Sequence, residues 1–237
     1  MAAVEPLILV GSGGFAREAA EVVHAVNAVQ PRWDLLGFTD DDPALEGARV
    51  KGLPVLGPTA EVVSAHPGAR LVLCTVSPQR YFTKRVLERR LALPPERYAS
   101  LVHPRAALAP SVAVGAGAVV LAGVVATGDA TIGPHVGVMP AAVITHDDHL
   151  GAFASVASGA LLAGGVVLEE EAYVGAGAML DAGVVVGRGS LVGMGSVVRH
   201  DVPPMQVWVG SPARRLRDVV RPGDAQVPSG RADGRPG

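Results

Sequence analysis

The stretch Val114-Gly-Ala-Gly-Ala-Val-Val120-Leu-Ala-Gly-Val-Val-Ala126-Thr-Gly-Asp-Ala-Thr-Ile132 carries an apolar residue at every sixth position. The phase holds without a slip from Val102 to Val198, and every one of those positions except Ala126 is Val, Ile or Leu. Four residues after each, the side chain is again small (Ala, Val or Ser), with Asp148 the exception. An amphipathic helix needs a period of about 3.6 and a half-buried strand a period of about two, so neither accounts for six. A short fixed period sustained over this length predicts a β-helix, in which each unit buries its face only against the units above and below. Glycine recurs directly after the apolar position, at Gly115, Gly133, Gly151, Gly175, Gly187 and Gly193. These glycines are expected to form the corner turns, where a missing Cβ helps most.

The 237 residues suit one large or two ordinary domains, and 49% hydrophobic content with 18% charge is ample for a core. Aromatic residues make up only 4%, as expected where Val, Ala and Gly stack in narrow coils. A net charge of −2 gives no reason to expect nucleic acid or an anionic membrane surface as partner. No apolar run approaches the length of a membrane span, and Leu7–Val10 is too short for the core of a signal peptide. The single cysteine, Cys74, excludes an internal disulfide framework and fits a reducing, cytoplasmic setting. It lies within the apolar run Leu71-Val-Leu-Cys-Thr-Val76 and reads as a buried strand residue.

The first hundred residues read as a small α/β domain. Leu7–Val10 forms a short strand, and Gly11-Ser-Gly-Gly-Phe-Ala16 follows at once, leading into a helix to about Ala28. This is a G-x-G-x-x-A phosphate loop in strand–turn–helix context, whose helix N-terminus offers free N–H groups to an anion. A second strand, Leu35–Thr39, ends in Asp40-Asp-Asp42, where a ribose hydroxyl would be held. A third, from about Leu71 to Val76, leads into a helix ending near Leu93. The domain is too short for a six-stranded dinucleotide fold, so a mononucleotide-sized unit is expected.

These segments together resemble the sugar O-/N-acyltransferases typified by bacillosamine, perosamine and sialic acid acetyltransferases. The resemblance rests on Gly11-Ser-Gly-Gly-Phe-Ala-Arg-Glu-Ala-Ala, Gly37-Phe-Thr-Asp-Asp-Asp, Gly52-Leu-Pro-Val-Leu-Gly57 and the hexapeptide half, and it spans about residues 6 to 217. It implies a Rossmann-like N-terminal domain over 1–100 and a left-handed parallel β-helix over 101–205. A closing segment over 206–221 and a disordered tail over 222–237 would follow. In that fold three hexapeptides make the three sides of one triangular coil, so residues eighteen apart are vertical neighbours. The resemblance further implies that the N-terminal domain binds a nucleotide sugar through Gly11, Ser12, Gly13, Gly14, Phe15, Arg17, Asp40 and Asp41. Coenzyme A would run along a groove between two β-helices, at Ser155, Gly164, Ala176 and Met194, which makes the expected assembly a homotrimer. Phe15 stands where many relatives have His, and Ser155 where some have a second histidine. Gly210-Ser-Pro-Ala-Arg-Arg-Leu216 matches the closing segment of the family, and its arginines could approach the 3′-phosphate of the coenzyme.

The repeat has one chemical irregularity, Ile144-Thr-His-Asp-Asp-His-Leu150. A rule broken locally in an otherwise consistent sequence points to function. The vertical neighbours of His146 are Gly128 and Gly164, which would leave room for a thioester and an amine. An N–H of Gly164 or Gly165 could polarise the thioester carbonyl. Acyl transfer to a sugar amine needs a base near neutral pKa, and a carboxylate on the other ring nitrogen would fix its tautomer. His146 with Asp147 matches the family's pair, although Asp148 is an alternative partner. The sequence therefore predicts an acetyl-CoA-dependent acetyltransferase acting on the amine of a nucleotide-linked sugar, with no metal. O-acetylation of a sugar such as sialic acid uses the same residues. A zinc enzyme of the γ-carbonic anhydrase kind is a third reading, prompted by His146-x-x-His149, with His135 and His103 as candidate further ligands.

Overall fold

A computed structural model describes residues 4–79 and 81–220. The expected tail over 222–237 lies outside the described residues. The N-terminal unit is a parallel three-stranded sheet in which β1 (Glu5–Val10) lies between β2 (Trp33–Thr39) and β3 (Arg70–Leu73). Helix α1 (Gly14–Val29) starts directly after the glycine loop, and α2 (Thr59–Ala65) and α3 (Thr83–Leu91) complete the unit. Leu7, Ile8, Leu9 and Val10 are all buried, so this short parallel strand reads as a continuous apolar run rather than an alternating one. The third strand ends at Leu73, three residues earlier than the sequence suggests. Cys74 still bonds to the carbonyl of Val10 and stays buried, but the chain then leaves the sheet toward α3. No described helix is long and apolar enough to cross a membrane.

From Leu101 the chain winds as a parallel β-solenoid of two-residue strands, forming three ladders. Face I stacks Ala107–Leu108, Val125–Ala126, Val143–Ile144, Leu161–Leu162, Met179–Leu180 and Val197–Val198. Face II begins at Ala113–Val114 and passes through His149–Leu150 to Val185–Val186. Face III runs from Leu101–Val102 through Gly137–Val138, Ser155–Val156 and Tyr173–Val174 to Leu191–Val192. It ends in the antiparallel hairpin Gln206–Gly210/Ala213–Asp218. Partners within each ladder are eighteen residues apart, as in Val125↔Val143 and Ser155↔Tyr173. The second residue of nearly every strand points inward and stacks on its equivalents, giving one continuous core of Val, Ile, Leu and Ala. β-Branched side chains suit such a stack because their χ1 is already restricted.

The glycines after the apolar position open the corner turns, as expected; Ala118 N–H, for one, donates to the Gly115 carbonyl at 3.3 Å. The left-handed turn residue is the third after the inward apolar one, at every sixth position from Gly117 (φ 72°) through Asp147 (63°) to Gly195 (64°). Gly115, Gly133, Gly151, Gly175, Gly187 and Gly193 do not have positive φ. They are required by close approach: a Cβ on Gly133 would lie 2.6 Å from the Leu150 carbonyl oxygen, and one on Gly175 2.6 Å from the Met194 nitrogen. The coils are stacked too tightly at these points for any side chain.

The N-terminal unit packs on the outer surface of face III. Phe15 reaches Gly137, where a Cβ would lie 3.2 Å from its ring, and the Tyr81 hydroxyl donates to the carbonyl of Gly189 at 3.0 Å. Leu101, Val119, Ser155 and Tyr173, which point outward from face III, are therefore buried. The corresponding residues of face I, among them Val125, Leu161 and Met179, remain exposed.

Candidate active site

His146 and Asp147 form the corner between faces I and II. The backbone there is held from both neighbouring coils: Asp147 N–H donates to the Gly128 carbonyl (3.2 Å), and the His146 carbonyl accepts from Gly165 N–H (2.9 Å). Asp147 occupies the left-handed turn position, which short polar residues tolerate best after glycine. That conformation brings its Oδ2 to 2.8 Å from His146 Nδ1, with the His146 side chain 71% and the Asp147 side chain 68% exposed. A carboxylate on Nδ1 selects the tautomer protonated there and leaves Nε2 as the free acceptor. The vertical neighbours are not equivalent. Nothing but Ser111 Oγ, at 3.9 Å, meets a Cβ on Gly128, whereas a Cβ on Gly164 would collide with the imidazole. The ring lies across Gly164, filling space that the sequence reading left open.

Asp148 has a different task. It fills a core position, 1% exposed, and its two oxygens accept from Thr145 N–H (2.7 Å) and Val166 N–H (2.8 Å). It staples two coils together rather than orienting His146. Burial raises its carboxyl to about 6, against the opposing pull of the two amide donors and of His146. A native pKa above the unfolded one means that the group's stabilising contribution is full below about pH 4 and is lost as pH rises through about 6. Asp148→Ala strands both amides without an acceptor and is expected to destabilise the fold by about 2–4 kcal/mol, readable in urea denaturation.

Gly165 N–H is committed to His146, which removes it as an oxyanion donor. Gly164 N–H has no acceptor among the described residues and stays available.

The glycine loop forms one wall of a cleft of about 630 Å³, lined by Gly11, Ser12, Gly13, Gly14, Phe15, Asp40 and Asp41. Gly11 has φ 101°, which turns the chain sharply from β1, and a Cβ at Gly13 would meet nothing within 4 Å. Helix α1 begins with no side-chain cap, leaving its first amides facing the cleft. Asp40 braces this loop, accepting from the backbone and hydroxyl of Ser12 and from Asp42 N–H (3.1 Å). Asp41 accepts from Thr59 N–H (2.9 Å) and pairs with Arg90 (2.7 Å). Partial burial alone would raise the Asp41 carboxyl, but the Thr59 and Arg90 contacts outweigh it and hold the pKa below the ordinary value. Arg17 is exposed and lies outside the lining, its guanidinium 3.9 Å from where a Gly14 Cβ would sit. Thr75, Ser77 and Thr83 also line the cleft. No sequence motif marks them, because loop packing after β3 brings them there.

The four positions expected to hold coenzyme A do not meet within one chain. Gly164 lies under His146 at the face I/II corner. Ala176 and the 79%-exposed Met194 lie at the face III/I corner, on the other edge of exposed face I. Ser155 is fully buried on face III, its hydroxyl without a partner among the described residues. The expected groove lies between two β-helices, so these positions need not meet within one chain; Ser155 points outward, and the N-terminal unit covers that face.

Among the described residues, no three His, Cys, Asp or Glu side chains are grouped as a metal would need. His149 is exposed on face II, His103 accepts from Arg105 N–H (2.9 Å), and His135 is buried, stacked on Phe153. In the closing hairpin Arg215 pairs with Asp218, and Arg214 donates to the carbonyl of Ala213.

Residues 6–75 match the family described as the PglD N-terminal domain. No curated protein matches the chain in sequence. Among solved structures, the chain is similar to PerB from Caulobacter crescentus in complex with CoA and GDP-perosamine. The two are 30% identical, with 90% of this chain and 98% of that chain covered and a TM-score of 0.78. It is also similar to the acetyltransferase domain of PglB from Neisseria gonorrhoeae in complex with acetyl coenzyme A, at 27% identity, 90% and 100% coverage and a TM-score of 0.80. WeeI from Acinetobacter baumannii shares the fold, at 22% identity, 89% and 99% coverage and a TM-score of 0.61.

Proposed function

Because the chain belongs to the sugar acetyltransferases built on a hexapeptide-repeat, left-handed β-helix, we propose that it moves the acetyl group of acetyl-CoA to the amine of a nucleotide-linked amino sugar, with His146 as general base. The observation that carries this reading is the His146–Asp147 pair at 2.8 Å, with Nε2 free beside Gly164. The sugar amine attacks the thioester carbon while Nε2 takes the amine proton. Negative charge develops on the carbonyl oxygen, where Gly164 N–H is the available donor. Collapse of the tetrahedral intermediate expels the coenzyme A thiolate, and the imidazolium returns the proton to it. Asp147 stabilises that imidazolium and keeps the ring in register.

The active assembly is a homotrimer in this reading. The nucleotide cleft belongs to the unit packed on face III, while His146 stands at the corner of the triangular coil opposite that face. A sugar held by one chain therefore reaches the histidine of another. Exposed, apolar face I, flanked by Gly164 on one edge and Ala176 and Met194 on the other, suits the contact between chains and a coenzyme running beside it.

Mixed complexes test the arrangement. Gly13→Asp puts a good helix cap at the start of α1 and a carboxylate against the substrate phosphates, so the fold is kept and binding is lost. His146→Ala and Gly13→Asp chains, each inactive alone, are expected to recover about a quarter of the parent activity when co-assembled. Continued inactivity of the mixture would contradict sharing between chains. The chemistry is tested on the product: an acetyl group that survives hydroxylamine is an amide, whereas one that hydroxylamine removes is an ester. The ester outcome would move the assignment to O-acetylation.

A further inference from the structure

Lys84, on α3, takes no part in the acetyl transfer and is 1% exposed. Its Nζ donates to the His135 carbonyl of the β-helix at 2.7 Å and lies 5.5 Å from the centre of the Phe15 ring. Among the described residues no carboxylate is within ion-pair distance of it. A carbonyl and a ring face are weak substitutes for a counter-ion, and a buried ammonium lacking one is strongly disfavoured. Burial accordingly lowers its pKa to about 8, and the residue nevertheless stays inside.

The position of this cation relates it to the nucleotide cleft. Phe15, Cys74, Thr83 and Leu87 all line that cleft. Phe15 carries the ammonium over its face, and the Cys74 thiol feels its charge. Thr83 and Leu87 are its neighbours one residue before and three residues after on α3. Lys84 thus stands directly behind the cleft wall, next to the loop whose amides point at the phosphate end.

We propose that Lys84 supplies the buried positive charge that binds the diphosphate of the substrate, acting through the wall formed by Phe15 and Cys74. The inference rests on the nucleotide-linked reading above and deepens it. The counter-charge that the fold does not give Lys84 is the ligand's own. A lysine that only pins α3 to the β-helix through the His135 carbonyl would affect all ligands of the cleft alike. An electrostatic partner of the diphosphate must favour diphosphates over monophosphates.

Calorimetric titration of the full chain with UDP, GDP and dTDP, and with the matching monophosphates, separates these cases. Lys84→Met is expected to weaken diphosphate binding by about tenfold and monophosphate binding by clearly less, with the melting temperature unchanged or raised. In the parent protein, diphosphate affinity should hold up to about pH 8 and then fall by about tenfold toward pH 9.5, as the free ammonium loses its proton. The titratable groups facing Lys84 from the other elements, Cys74 at about 12 and His135 at about 4, do not titrate in that window. Equal diphosphate affinity in Lys84→Met, equal losses for mono- and diphosphates, or a parent affinity that is flat through pH 9.5 would each overturn the proposal. Should the variant fail to fold, the parent's pH series decides alone. If the parent binds none of the diphosphates, the nucleotide-linked reading fails and this inference with it.

Discussion

His146→Ala is expected to lower kcat by about 10³-fold while coenzyme A binding stays within about twofold of the parent. In the proposed mechanism the substitution removes the group that takes the amine proton, and it leaves the backbone clamp intact. That clamp runs through the carbonyl of residue 146 and the N–H of Asp147, neither of which needs the imidazole. Residual activity would come from positioning and from the Gly164 amide. Asp147→Asn should cost far less, about tenfold, because the ion pair is exposed on both sides and water replaces much of what the carboxylate provides. A loss for Asp147→Asn as large as that for His146→Ala would mean that the carboxylate does more than orient the ring.

The second large effect is expected at a residue with no side chain. Gly164→Ala should reduce kcat by about 10²-fold with little change in melting temperature. The Gly164 backbone is not in the left-handed region, so alanine meets no conformational penalty, but its methyl group would occupy the place of the imidazole. The ring must swing away from the reacting atoms, and a displacement of about 1 Å is enough to cost this much. Gly128→Ala, one coil on the other side, provides the control: its methyl would meet only Ser111 Oγ at 3.9 Å, and activity should stay within about twofold. Equal effects of the two substitutions would rule out the ring's resting place on Gly164 as the reason for the loss.

The contrast between Gly128 and Gly164 also marks how far the sequence could be read. The sixfold apolar phase defines the solenoid, and the eighteen-residue register makes both glycines neighbours of His146. Which of them the ring covers depends on a side-chain torsion that the repeat does not encode. The Asp147-or-Asp148 ambiguity is resolved in the same way. The fourth position of each hexapeptide faces the core, so Asp148 is drawn inside and satisfied by two amides, while Asp147, at the left-handed corner, stays out with the histidine. The glycines after the apolar position do open the corner turns, but a glycine can be required by conformation or by proximity. Periodicity alone does not distinguish the two, and at Gly115, Gly133 and Gly151 the neighbouring coil's backbone is the reason. The burial of Ser155 needs long-range information. Its outward direction follows from the repeat, but its burial follows from the docking of a separate unit, and Lys84 became visible only through that same contact.

The account turns on acetyl-CoA, an amino-sugar acceptor and His146 acting together. The most direct test is thiol release from acetyl-CoA measured against UDP-, GDP- and dTDP-linked 3- and 4-amino sugars, with free sialic acid alongside. The account predicts release with at least one nucleotide-linked amino sugar, abolished in His146→Ala and undetectable with sialic acid. Release that persists in His146→Ala, or that requires sialic acid in place of an amine, would contradict it.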